Sequence, residues 1–200
     1  MSISSVVSNF ELLVKPIVQP SADILGVGRT VIQGYFLSVA NLSSRDDFRL
    51  QLNFRAKSTN LSSSPLLAFW DVNGNNTLLS PVSNTPNSRV YEIRLQPRDT
   101  GLFILQPNVA DRDVVTAANT EIRGYLEATL ATPFGANTYN LLLSPEHRGT
   151  FLPKGFVIPD GIVADTPQDF DQLVYSIPTA QGGTAFEFQQ ISPDFIRSAA

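Results

Sequence analysis

The sequence predicts an all-β fold, an antiparallel β-sandwich or barrel-like architecture, and three observations carry that expectation. Residues 48–55 alternate strictly, with Phe48, Leu50, Leu52 and Phe54 on one side and Arg49, Gln51, Asn53 and Arg55 on the other. That is the period of a strand with one buried face. Fourteen prolines and twelve glycines punctuate short apolar runs, and no long amphipathic helix interrupts them, as in sandwiches and barrels. Thirdly, the chain echoes itself. Ile32-Gln33-Gly34-Tyr35-Phe36 returns as Ile122-Arg123-Gly124-Tyr125-Leu126, and Phe48, Leu50, Leu52 returns as Tyr139, Leu141, Leu143. Val90-Tyr91-Glu92-Ile93 returns as Val174-Tyr175-Ser176-Ile177. Three matches in one order predict an internal duplication of a β-rich unit.

Each element has its own local reason. Segment 10–18 is broken by Pro16 and followed by Pro20, which favours an extended lead-in. Residues 29–40 are apolar and aromatic and read as a strand, with a bulge at Gly34. A turn-like run, 41–47, leads into the alternating strand 48–55. Residues 66–72 form an apolar strand carrying Trp70, and Asn73-Gly74 is a hairpin signal. The returning strand is stopped by Pro81, residues 90–95 restore strand character, and 102–105 complete the first half. Segment 109–120 is the candidate boundary and the best place for a short helix. Strands follow at 122–130, 139–143, 156–158, 173–177 and 184–188, with turn chemistry throughout 145–155. The tail 193–200 reads as a short helix or disorder. The predicted organisation is a first β-rich unit with its lead-in over 1–108, a connector over 109–120, and a second β-rich unit over 121–200. Each half has few strands, so a shared core is the economical way to bury their apolar faces.

Composition narrows the function classes. Charged residues make up 16%, against roughly 25% in an ordinary soluble protein, so Asn, Gln, Ser and Thr fill the outward positions. Such a surface loses little on desolvation, which suits assembly with other copies and equally suits carbohydrate. The formal net charge of -4 and the absence of a basic cluster argue against nucleic acid. Arg89, Arg94 and Arg98 read as the solvated side of a strand and its turn. The chain has no cysteine, which excludes disulfides, thiolate catalysis and cysteine-based metal sites. No apolar run approaches the ~20 residues of a membrane-spanning helix, and the first residues do not resemble a secretory signal. The expected location is the cytoplasm, or a particle assembled there.

Candidate chemistry is sparse. His147, the one histidine, lies in Ser144-Pro145-Glu146-His147-Arg148-Gly149 with no nucleophile motif near any serine, and reads as a turn residue. Asp71, Asn73 and Asn75 offer oxygens at alternating positions, as calcium prefers. The pattern departs from a helix–loop–helix calcium site, because Val82 stands where glutamate is required. No metal and no cofactor are expected. Asp160, Asp165, Asp169 and Asp171 would suit a carboxylate-dependent hydrolase only if two converge at about 5–9 Å. Among the aromatics Tyr35, Trp70, Tyr91, Tyr125, Tyr139 and Tyr175, the candidates for lining a ligand groove are Trp70, Tyr35 and Tyr125, while the repeated tyrosines are expected chiefly in the core. The reading that results is a noncatalytic structural or protein-interaction module that self-assembles. A carbohydrate- or other ligand-binding β-sandwich is the alternative and a hydrolase the third choice.

Overall fold

The computed structural model describes residues 4–16, 28–131, 138–153, 156 and 170–189. Within them the chain forms β1 (Ser4–Pro16), β2 (Thr30–Asn41), β3 (Phe48–Arg55), β4 (Leu66–Val72), β5 (Asn75–Leu79) and β6 (Ser83–Thr85). It continues with β7 (Ser88–Leu95), β8 (Thr100–Pro107), the helix α1 (Arg112–Ala117), β9 (Thr120–Leu130), β10 (Thr138–Phe151), β11 (Asp171–Ser176) and β12 (Ala185–Gln189). All strands join one 12-stranded sheet in the order β5-β4-β8-β2-β1-β9-β3-β7-β6, with β10 on β2 and both β11 and β12 on β10. The sheet is mostly antiparallel and curls through 249° into a half-barrel with a second, smaller strand cluster. The all-β sandwich or barrel-like expectation is therefore met.

The curl originates at β2. One edge of β2 pairs with β10 from Val31 to Asn41. The other edge pairs with β1 over Thr30–Gln33 and with β8 over Tyr35–Ala40. Gly34 stands where the partner changes. Beyond that fork β1 leads to β9, β3, β7 and β6, while β8 leads to β4 and β5. The two wings thus face each other across the core. β10 is split in the same way, giving one edge to β12 over Thr138–Leu142 and to β11 over Glu146–Phe151.

Alternation places the core. Phe48, Leu50, Leu52 and Phe54 are fully buried while Arg49 and Arg55 are exposed, so the clearest strand in the sequence is also the clearest in the structure. Phe10, Tyr35, Phe54, Tyr91 and Phe103 form the aromatic centre. Phe54 stands edge-on to Phe10 and Tyr35, at 5.2 and 5.6 Å between ring centroids, and stacks on Phe103 at 5.6 Å. Edge-to-face pairing matches the positive ring edge to the negative face. The Asn73-Gly74 turn closes β4 onto β5 as expected, both residues having positive φ, 58° and 76°, as a tight hairpin needs.

Several local readings are corrected. The lead-in is instead an interior strand: β1 pairs along its length with β9, and Pro16 is its last residue. Segment 145–151 continues β10 instead of turning, because Gly149 and Pro145 sit in an extended ladder that β2 and β11 clamp from both edges. Arg89 is buried inside β7 instead of solvated, donating to the backbone oxygen of Ser64 at 3.1 Å, to Asn84 Oδ1 at 3.2 Å and to Leu61 O. Its guanidinium ties the turn before β4 to the sheet. The helix occupies 112–117 within the expected segment, capped by Asp111, which accepts from the Asp113 amide at 3.0 Å. Expectations for 157–158, 160, 165–169 and the tail fall outside the described residues.

The sequence echo maps unevenly. Phe48, Leu50, Leu52 and Tyr139, Leu141, Leu143 all face the core. Tyr35, however, is fully buried while Tyr125 is 42% exposed, and Tyr91 is buried while Tyr175 is 41% exposed. Tyr125 stands one strand position out of phase with Tyr35 and so faces outward, whereas Tyr175 faces the same side as His147 and Tyr35 and is exposed because, among the described residues, β11 pairs only with β10. Strands on either side of 109–120 pair directly, β1 and β3 with β9 and β2 with β10, and one hydrophobic cluster draws on them all.

Truncating Phe54 removes the ring on which four others lean, so Phe54→Ala is expected to lower the unfolding free energy by about 3–5 kcal/mol. Urea unfolding of the variant beside the wild type measures it, and a loss below about 1 kcal/mol would contradict this account of the core.

Candidate functional site

The two wings present unlike outer faces. On the β1–β9–β3–β7 wing the outward residues are charged and paired across strands. Arg123 donates to Glu11 Oε1 at 2.5 Å and lies 2.6 Å from Glu121, which also pairs with Lys15. Arg55 meets Glu127 at 3.0 Å, Arg94 meets Asp47 at 2.5 Å and Arg49 meets Glu92 at 3.9 Å. The hydrogen bond from Lys15 holds the Glu121 carboxyl below its ordinary range, and the hydroxyl of Ser4 does the same for Glu127, although burial opposes both. Exposed pairs of this kind contribute at most about 1 kcal/mol each. They mark a face adapted to water.

The outer face of the β5–β4–β8–β2 wing carries an apolar row, with polar positions such as Asp71, Ser38 and Gln106 beside it. Register places Leu78, Phe69, Ile104 and Phe36 in one row across four strands. Leu67, Leu102, Ile32 and Leu142 flank that row, half-buried, and Leu78 is 60% exposed. The nearest cation, Arg148, lies 4.5 Å over the Phe36 ring and is neutralised by Glu146 on its own strand. A cavity of about 490 Å³ opens on this side between β2, β10 and β11, lined by Ile32, Phe36, Arg148, Phe170 and Val174, the last 60% exposed.

At the seam between the wings sits His147. It faces inward from mid-β10, not from a turn, and is buried. Its Nε2 accepts the Glu11 backbone N–H at 3.0 Å, a donor that β1 would otherwise leave unpaired where it parts from β2. The proton is then on Nδ1, which donates to Tyr175 Oη at 3.0 Å, and that hydroxyl donates to Gln33 Oε1 at 3.3 Å. The Gln33 amide returns to Glu11, donating to its backbone oxygen and carboxylate, both at 3.3 Å. Four strands are joined in one closed hydrogen-bonded circuit. Desolvation pushes the His147 pKa down, against the pull of the Glu11 carboxylate. The one acceptor nitrogen of the ring is occupied by a backbone amide, so the imidazole acts as a clamp between strands.

The candidate ligand residues do not converge. Tyr35 is fully buried, its hydroxyl 2.8 Å from Ser8 Oγ, and desolvation raises its pKa strongly. Trp70 faces inward from β4 and packs over Gly101 against the core. Tyr125 alone of the three is exposed, on the charged wing. Asp71 Oδ1 is buried without a hydrogen-bond partner, and Asn73, Ser38 and Thr100 share its shallow pocket. Among the described residues no group of three or more His, Cys, Asp or Glu is placed to hold a metal. Asp171 is exposed and paired with Arg29. The other three acids of the hydrolase reading, Asp160, Asp165 and Asp169, lie outside the described residues. No helix among the described residues is long and apolar enough to cross a membrane. The apolar outer face was missed in the sequence because Phe36, Phe69 and Ile104 sit in near-continuous apolar runs, which alternation does not resolve into two sides.

No protein-family model matches this chain, and no curated protein matches it either.

The circuit has a pH signature. A folded-state pKa below the ordinary 6.5 means that the unfolded chain takes up the proton first. Stability is fully present above about pH 6.5 and falls as the pH drops toward the folded pKa. Protonation would also set an Nε2–H against the Glu11 N–H. Urea unfolding at pH 7.5 and 5.5 is expected to show this loss in the wild type, and His147→Gln to be weaker at pH 7.5 but flatter between the two. Equal slopes in both proteins would remove the clamp from the account.

Proposed function

We propose that the protein is a noncatalytic assembly module that associates with copies of itself through the outer face of β4, β8, β2 and β10. The observation that carries this reading is the contrast between the wings. Both belong to the same sheet and share one core, yet one outer face bears five sets of cross-strand ion pairs and neighbouring polar groups, and the other an apolar row from Leu78 to Phe36. Apolar surface left in water costs roughly 25 cal/mol per Å² relative to burial, and wide exposed apolar patches mark interaction sites.

A second copy is the partner that fits this face. The row itself, Leu78, Phe69, Ile104 and Phe36, is uncharged; at its margin Arg148 is matched by Glu146, and Asp71 is the acidic group beside it. An apolar, self-complementary patch closes about a twofold axis. The charged fraction of 16% lowers the desolvation cost at the rim. A cysteine-free chain also suits a reducing compartment, and the assembly is placed in the cytoplasm or in a particle built there.

Light scattering coupled to size-exclusion chromatography over a dilution series tests this reading. The wild type is expected as a discrete oligomer of the 21.8 kDa chain. Leu78→Lys and Val174→Lys, both at exposed positions, are expected to shift it to a monomer that still unfolds cooperatively, its midpoint no longer dependent on protein concentration. A wild type that remains monomeric at high micromolar concentration would overturn self-association.

A further inference from the structure

The charged wing carries a cleft that assembly through the apolar face leaves open. Its volume is about 480 Å³, and it is lined by Arg55, Ala56, Lys57, Asn87, Arg123, Gly124 and Tyr125. That volume falls within the range of small-molecule sites. The cleft forms where β3 ends. Arg55 is the last residue paired with β9, opposite Tyr125, and the chain then folds across Gly124. A Cβ on Gly124 would stand 2.0 Å from the Arg55 carbonyl oxygen, so this close approach requires glycine.

The lining is cationic although the chain is acidic overall. Three of its residues are Arg or Lys and none is Asp or Glu, in a protein of formal net charge -4. The carboxylates that partner the guanidiniums stand outside the lining: Glu127 holds Arg55, while Glu11 and Glu121 hold Arg123 from the β1 side. Arg123 uses Nε and one terminal nitrogen in those pairs. These contacts fix the guanidiniums in place before a ligand arrives, which reduces the ordering cost of binding. Lys57 is exposed and has no ion pair among the described residues. Beside these cations Tyr125 is 42% exposed, a large aromatic surface on the solvent face of a strand. Asn87 adds an amide able to donate to and accept from hydroxyl groups.

We propose that this cleft binds an acidic saccharide, with the sugar ring against Tyr125 and its carboxylate among Lys57, Arg55 and Arg123. Each part of the lining meets one part of such a ligand. The apolar face of a pyranose packs on the aromatic ring, its carboxylate accepts charge-assisted hydrogen bonds from the guanidinium and ammonium groups, and its hydroxyls meet Asn87. A neutral sugar would leave Lys57, the cation of the lining without an ion pair among the described residues, with no counter-charge. A bare phosphate would leave the ring unused. The site is separate from the apolar face and does not depend on self-association.

Amide NMR of the full chain, titrated with D-glucuronate, D-glucose and inorganic phosphate, tests the assignment. Glucuronate is expected to shift the resonances of 55–57, 87 and 123–125 saturably, with glucose and phosphate at least about tenfold weaker. Lys57→Glu and Tyr125→Ala, both at exposed positions, are each expected to weaken glucuronate about tenfold while leaving the unfolding midpoint unchanged. Three results would overturn the proposal: no saturable shift at millimolar glucuronate, glucose binding as well as glucuronate, or phosphate binding as well as glucuronate with Tyr125→Ala silent.

Discussion

A strand has two edges, and β2 must satisfy three neighbours with them. β10 takes one edge whole, and β1 and β8 divide the other at Gly34. Because β1 and β8 cannot occupy one line, the sheet parts into two wings, and the core lies where they face each other. Parting leaves backbone groups of β1 without a strand partner, and such groups are costly when buried. One acceptor and two donors meet them. His147 Nε2 receives the Glu11 N–H, Gln33 Nε2 gives to the Glu11 carbonyl, and the Ala180 amide gives to Val7 O at 2.7 Å. The lone histidine and one glutamine therefore do at the seam what a neighbouring strand does elsewhere. The curl of the sheet, the position of the aromatic centre and the separation of the two outer faces all follow from this fork.

How much of this was legible depended on whether a local signal had a single cause. Strict alternation at 48–55 has one cause, and the strand is there with the buried face as read. Asn73-Gly74 has one cause, and the turn is there. Pro16 has two, since proline ends a strand as readily as it breaks an extended tail, and β1 was lost to the second. Residues 145–151 failed for the same reason: proline and glycine marked a turn, but a ladder clamped on both edges by β2 and β11 overrode them. Arg89 looked solvated because arginine usually is. Nothing local announced that three oxygens of neighbouring turns would surround its guanidinium.

The candidate ligand residues were less legible, because sharing a face is a property of register and not of composition. Trp70, Tyr35 and Tyr125 were grouped as aromatic side chains, and the sheet sends the first two inward and the third outward. Tyr35 and Tyr125 even share a sequence motif, yet one strand position of phase separates a residue in the core from one in water. Likewise Leu78, Phe69, Ile104 and Phe36 come from four strands and become a row only through three registers. No window along the chain contains that row.

The contrast between the wings also explains how a weakly charged protein remains specific. With 16% charged residues, scattering them evenly would leave every face mildly polar and none distinct. Among the strands of the two wings, β1, β9, β3 and β7 carry cross-strand pairs that hold both signs in register, whereas β2, β4, β5 and β8 carry only Asp71. Burying matched but solvated pairs costs more than it returns, so that wing is the unfavourable one to bury against another copy. The β4–β8–β2–β10 side is left as the low-cost surface to bury. On the proposed reading, segregated charge selects the face that associates and leaves the cleft at Tyr125 in water with its guanidiniums held by ion pairs.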